Sequence, residues 1–299
     1  MIHFRPVTLA EKPWVDEIVR EENSRSADFN FGNIYMWDKK FKQLIARCDG
    51  RMLTKLRYGG AYSFAFPIGS GPLEGAMEAI EGYAARRGWT FRLRGITEEN
   101  RELLEKCYPG KFVYSEDTDC FDYIYRAESL ATYSGKAMHG KKNHCNRFEK
   151  ENEWQFIPLT RPMIPQCMDM LDTWREDNAG RLDSSFTDEH DAIIRAFAAY
   201  EDLGLEGGIL TVGGKTVGFS IGEKISSDTF NVHFEKARID INGAYPMVCR
   251  EFTKQVLALH PEVKYINRED DMGLEPLRIS KLSYKPEFMV KKYSAVYAE

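Results

Sequence analysis

The stretch Ile209-Leu210-Thr211-Val212-Gly213-Gly214-Lys215-Thr216-Val217-Gly218-Phe219 decides the fold. Two apolar, strand-forming runs flank a Gly-Gly pair, the signature of a two-residue hairpin turn whose central residues take positive φ. The pattern predicts strands over 208–212 and 216–225, with a third over 229–236. The same residues imitate a phosphate-binding loop at Gly213-Gly214-Lys215-Thr216, but such a loop needs a glycine where this chain has Ile209. It must also join a strand to a helix, whereas this segment joins two strands, so that reading is refused.

Working outward, the three-strand meander has the same neighbours twice. Before it come a strand over 154–159, a helix in which Ile164, Cys167, Met168, Leu171 and Trp174 share a stripe, and a helix over 187–200. After it come a helix over 243–259, with Tyr245, Val248, Phe252, Val256 and Leu259 on one face, and a strand over 264–268. In the first half a strand over 2–7 and a helix over 10–22 precede strands over 43–48, 51–57 and 61–67, separated by Asp49-Gly50 and Gly59-Gly60. A helix over 73–87, a strand over 90–94, a helix over 98–107 and a strand over 120–125 complete it. This repeated order divides the chain into 1–125, a basic connecting segment 126–153, and 154–299, with the last expected to carry the function.

With 299 residues the chain is long enough for two domains, and 43% hydrophobic residues supply a core for each. Lys plus Arg number 41 against 46 Asp plus Glu, a net charge of -5, which argues against a surface that is basic throughout. That balance hides a local run, Lys136, Lys141, Lys142 and Arg147, suited to phosphates. The six cysteines form no C-x-x-C pair and the six histidines do not cluster, so no metal site is expected. There is no basic leader followed by an apolar run and no stretch of about 18 apolar residues, so the expected compartment is the cytoplasm, without an integral membrane segment.

Two places invite chemistry. Along 229–236, Phe230, Val232 and Phe234 alternate with Asn231, His233 and Glu235, so the polar three are expected to share one face. Glu235 or His233 there would serve as a general base. The following loop, with Arg238, Asn242, Gly243, Ala244 and Tyr245, leads into a helix whose N-terminus favours an anion. Residues 67–72 hold the equivalent place in the first half.

The element order resembles the GCN5-related N-acetyltransferase fold in tandem, an α+β class with mixed sheets. The stretch Tyr265-Ile266-Asn267-Arg268-Glu269-Asp270-Asp271-Met272-Gly273-Leu274-Glu275, then Leu277-Arg278 and Lys281-Leu282-Ser283-Tyr284-Lys285-Pro286, adds to this. Together with Lys141-Lys142-Asn143-His144-Cys145-Asn146-Arg147-Phe148 it resembles the catalytic domain of phosphatidylglycerol lysyltransferases and the cytoplasmic proteins grouped with it. Those share the tandem fold with Fem-type aminoacyl transferases. The resemblance implies transfer of an acyl or aminoacyl group from acyl-CoA or charged tRNA to an amine or hydroxyl, without a further cofactor. It makes 238–245 the pyrophosphate loop, sets Asn267 and Arg268 beside the donor, and makes Tyr284 the acid for the leaving group. The acceptor it implies is a small molecule or a lipid headgroup, the lipid being put in question by the missing membrane portion. A non-catalytic module of the same fold, binding a metabolite or partner, is the alternative; oligomeric state is not legible.

Overall fold

Gly213 and Gly214 turn the chain with φ of 55° and 76°, and the strands on either side pair antiparallel from Val212 with Lys215 back to Glu206 with Gly222. The computed structural model describes residues 2–177 and 184–298. In chain order the first repeat contains β1 (Arg5–Pro6), α1 (Lys12–Glu22), α2 (Phe31–Met36), α3 (Asp38–Phe41), β2 (Leu44–Cys48), β3 (Arg51–Tyr58) and β4 (Ala61–Ala65). It continues with β5 (Ile68–Gly69), α4 (Leu73–Ala85), β6 (Leu93–Ile96), α5 (Glu98–Cys107), β7 (Phe112–Glu116) and β8 (Asp122–Arg126). The connecting helices are α6 (Ala127–Thr132) and α7 (His139–Glu151). The second repeat opens with β9 (Trp154–Pro158), α8 (Ile164–Asp177), α9 (Ser184–Ala198), α10 (Tyr200–Leu203), β10 (Glu206–Val212), β11 (Lys215–Lys224) and β12 (Thr229–Ala237). It ends with α11 (Ala244–Leu259), β13 (Tyr265–Asn267), α12 (Glu275–Ser283), β14 (Phe288–Val290) and β15 (Tyr293–Tyr297).

One sheet has the order β1-β2-β3-β4-β6-β15-β7, with β5 pairing β3, and the other has β14-β8-β13-β12-β11-β10-β9. Each is mixed: β6 lies parallel to β4, and β13 lies parallel to β12, while the other described pairs are antiparallel. The last strand of each repeat has gone to the other sheet. Thus β8 pairs β13, and β15 inserts between β6 and β7.

The compact units are therefore Met1–Asp122 with Val290–Glu299, and Tyr123–Met289. The division at 125 and 154 expected from the repeat differs from these bounds, because the sequence pattern cannot show which sheet a strand joins. Residues 126–153, expected to be a connector, lie wholly within the second unit and contribute Leu130, Tyr133, Cys145 and Phe148 to its core. The strand expected over 2–7 is reduced to Arg5–Pro6, and α2, α3, β5, β7, α6, α7, α10, α12, β14 and β15 had no forecast bounds. No helix among the described residues is long and apolar enough to cross a membrane.

In the second unit α11 crosses one face of the sheet, burying Met247, Val248, Phe252 and Val256 against Leu210, Val217, Phe230 and Val232. It can approach this closely because Gly218 carries no side chain: a Cβ there would stand 2.7 Å from Val248 Cγ2. On the opposite face, Phe197 of α9 packs on Phe219 with ring centroids 5.3 Å apart. The ladder between β11 and β12 slips by one residue. Ile221 pairs Phe234 but Gly222 pairs Val232, leaving His233 as the extra residue of a β-bulge.

Gly222 permits that bulge, since a Cβ on it would lie 2.0 Å from the backbone oxygen of Asn231 and 2.7 Å from a ring carbon of Phe230. Backbone cannot swing away as a flexible side chain can. Gly222→Ala is expected to cost about 1–3 kcal/mol, the usual penalty of overpacking, read as a lowered midpoint of chemical denaturation.

Candidate functional site

The bulge rewrites the alternation of β12. Before it, Phe230 and Val232 face α11; after it, Glu235 and Ala237 do, since they pair with Ser220 and Gly218 on that side of β11. Asn231, Phe234 and Lys236 face the other way, where Lys236 Nζ reaches Glu189 of α9 at 2.7 Å and stands 4.3 Å from the Trp174 ring of α8. The expectation that Asn231, His233 and Glu235 share one face therefore does not hold. Strict alternation fails at any extra residue.

His233 is enclosed between two carboxylates, with Nε2 3.0 Å from Glu223 and Nδ1 2.8 Å from Glu269, and its side chain is wholly buried. Burial alone would push its pKa down, but the hydrogen bonds and charges of Glu223 and Glu269 outweigh it and raise the imidazole to about 9. Glu269 responds in the opposite sense: burial favours its neutral form, yet His233 and Asn231 hold its carboxyl below the usual range. His233 is thus a fixed imidazolium with both nitrogens engaged. An imidazole can act as a base only when it is neutral with a free ring nitrogen, so the role of general base expected for His233 does not suit this geometry, and Glu235 is the candidate that is left.

Glu235 has a different environment. Its carboxylate accepts from Arg268 Nη2 at 2.8 Å, and the two side chains are 8% and 12% exposed. Burial raises the Glu235 pKa; Arg268, Lys281 and Lys141 oppose that rise without cancelling it. Arg268 follows β13, whose pairing with β12 ends at Asn231 and Asn267, so it reaches across the gap that opens where the two parallel strands part. Asn267, wholly buried, accepts the backbone N–H of Glu269 at 2.6 Å, and Lys281 donates to the carbonyls of Arg268 and Glu269. The turn is thereby fixed with consecutive side chains sent to opposite faces, Arg268 to Glu235 and Glu269 to His233.

Tyr284, 3% exposed, completes this cluster. Its ring lies 3.8 Å from Lys141 Nζ and 4.5 Å from the Arg268 guanidinium carbon, and burial drives its hydroxyl pKa well above 10. Lys141, from α7, is pushed below the usual lysine range by burial and then by Arg268. Arg268 Nη1 is buried and has no hydrogen-bond partner among the described residues. A buried donor left without an acceptor is costly, and a ligand oxygen would relieve it. The structure thus joins Glu235, Arg268 and Tyr284, which the sequence singled out as site residues, with Lys141, noted there as part of a basic run and of the 141–148 motif but given no role. Its signal was the Lys141-Lys142 pair; nothing in the pattern ties it to Tyr284.

The loop before α11 does not offer an open cradle. Arg238 is clamped by Asp240, with Nε and Nη2 at 2.9 and 2.7 Å from its two oxygens, and Asp177 lies 3.5 Å away. Asn242 Oδ1 is 2.9 Å from His144 Nδ1, and α7 comes so near Gly243 (φ 85°) that a Cβ would lie 2.6 Å from the His144 carbonyl oxygen. Of the first-turn donors, Ala244 N–H bonds Ile241 O at 3.1 Å, Pro246 has none, and Met247 N–H bonds Gly243 O at 3.0 Å. Tyr245 is turned to Trp174, whose Nε1–H donates to its hydroxyl at 3.0 Å. Of the group expected to hold a pyrophosphate, Arg238, Asn242, Gly243, Ala244 and Tyr245, the side chains of Arg238, Asn242 and Tyr245 and the N–H of Ala244 are thus engaged within the protein. Among the described residues no group of three or more metal-ligating side chains gathers.

Residues 20–296 match the family model described as phosphatidylglycerol lysyltransferase, C-terminal. A conserved protein of unknown function from Bacteroides thetaiotaomicron VPI-5482 is 34% identical and superposes over 100% of both chains with a TM-score of 0.94. L-PGS from Bacillus licheniformis gives a TM-score of 0.65 at 14% identity, over 94% of this chain and 90% of that one. A tandem GNAT protein from the clavulanic acid biosynthesis pathway gives 0.51 at 10% identity, over 100% and 98%. At these identities the last two are likenesses of fold. They bear out the α+β tandem GCN5-related N-acetyltransferase architecture.

His233 gives a pH test. Its folded pKa of about 9 lies above the reference value of 6.5, so the stabilisation is fully present below about pH 6.5 and is lost as pH rises through 9. The stake is roughly 3 kcal/mol. Denaturation midpoints measured from pH 6 to 10 should fall over that window, and His233→Gln should flatten the fall.

Proposed function

The chain belongs to the phosphatidylglycerol lysyltransferase C-terminal family, and from that premise we propose that it is an aminoacyltransferase moving an aminoacyl group from charged tRNA to an amine or hydroxyl acceptor. The observation that carries this reading is the buried Glu235–Arg268 pair, with Arg268 Nη1 unsatisfied and Lys141 beside it, where β12 and β13 part. The engagement of Arg238 by Asp240 and of the Ala244 N–H by Ile241 favours charged tRNA over acyl-CoA as donor, since the latter needs a seat for its pyrophosphate.

In this account the acceptor's oxygen or nitrogen attacks the ester carbonyl of the donor, and Glu235 takes the proton it loses. Burial, by raising the Glu235 pKa, makes the carboxylate a better base than an exposed glutamate. Negative charge that develops on the carbonyl oxygen is met by the free N–H of Arg268 and the ammonium of Lys141, groups already in place and largely shielded from water. The carbon–oxygen bond to the tRNA ribose then breaks, and Glu235 returns its proton to the leaving ribose hydroxyl. Tyr284, whose ring lies against both cations, helps to hold them at the reacting carbonyl. The acceptor reached through this site is a small molecule or the hydroxyl of a lipid headgroup.

Transfer assayed with a pool of charged tRNA, and in parallel with a panel of acyl-CoA thioesters, tests the reading. Glu235→Gln is expected to lower turnover at least 100-fold with little change in donor affinity, in keeping with the loss of a general base. Thioester turnover without tRNA turnover would overturn the choice of donor.

A further inference from the structure

We propose that the face of the first unit built by β3, β4 and the end of α4 is a binding surface for single-stranded RNA. Lys55 and Arg57 lie two apart on β3, and their ladder partners on β4 are Phe64 and Tyr62, so all four project from one side of the sheet. Tyr62 stacks on Trp89, which follows α4, with centroids 4.1 Å apart and planes 15° from parallel. Around this pair stand three cations. Lys55 Nζ is 5.0 Å from the Tyr62 centroid and 5.7 Å from that of Trp89; the Arg57 guanidinium carbon is 6.0 Å from Tyr62; that of Arg87 is 3.6 Å from the Tyr83 ring and 5.8 Å from Trp89.

None of the three is neutralised. The hydrogen bonds of Arg57 and Arg87 go to the backbone oxygens of Gly60 and Tyr83, and among the described residues neither they nor Lys55 has a carboxylate within ion-pair distance. Lys55 is 8% exposed, and burial followed by the charge of Arg87 pushes its pKa down. A chain with more acidic than basic side chains has nonetheless gathered cations here without counter-charge, around aromatic rings of which Tyr62 is 38% exposed. Phosphates supply the missing charge, and unpaired bases supply flat faces for the rings, the pairing by which proteins hold single strands. An acidic peptide would satisfy the cations but leave the stacked rings unused.

The assignment concerns the first unit alone and does not depend on aminoacyl transfer in the second. Anisotropy of a labelled ten-nucleotide uridine oligomer on the full chain, over a series of salt concentrations, tests it. Arg57→Glu with Arg87→Glu is expected to weaken binding at least tenfold and to lower the log–log salt slope by about 1.4, two phosphate contacts on a single strand. Tyr62→Ala, which leaves the charge intact, should weaken it at least fivefold through lost stacking. The control Arg20→Glu with Lys106→Glu makes the same change of charge on exposed helices of the same unit and should alter binding less than threefold. Circular dichroism verifies that each variant is folded. No binding at 50 mM salt, an equal loss in the control, or competition by polyglutamate as strong as by RNA would overturn the proposal.

Discussion

One residue too many in β12 governs the second unit. Because His233 has no ladder partner, the side chains that follow it change face, and Glu235 enters the α11 side of the sheet instead of joining His233. The acidic and basic groups are sorted accordingly. On one side an imidazolium is locked between Glu223 and Glu269; on the other, Glu235 meets Arg268, Lys141 and Tyr284. A regular strand would have brought the base into the first group, where His233 would have held it as a counter-ion.

The turn after β13 completes the sorting. Glu269 has φ of 56°, which lets Arg268 and Glu269 leave the strand end in opposite directions while Asn267 and Lys281 hold the backbone between them. Both ion clusters are thus anchored by one short segment, and each is attached to β12 on its own face. Removing one partner of such a buried set leaves an uncompensated charge, which is why these residues support position as much as reactivity.

The meander, its Gly-Gly turn, the long helix after it and the duplication were all legible, because hydrophobic period and turn residues are local. Glu98–Cys107, for example, is a helix with the bounds its sequence predicts, started by the Thr97 side chain accepting from Asn100 N–H. The exchange of β8 and β15 was not legible, since nothing in a strand's own residues names its neighbour. Nor was the bulge: Phe230, Val232 and Phe234 alternate without a break, and the glycine that allows the slip, Gly222, is on the other strand. For the same reason Arg268 and Tyr284 could be picked out singly while their meeting with Lys141, more than 120 positions earlier in the chain, could not.

The most direct measurement is a structure of the protein with a non-hydrolysable aminoacyl-adenosine in which an amide replaces the ester. The amide carbonyl is expected to accept a hydrogen bond from Arg268 Nη1 and to lie beside Lys141, with Glu235 in reach of the acceptor's approach. A carbonyl bound beside His233, or at the loop before α11, would contradict that placement.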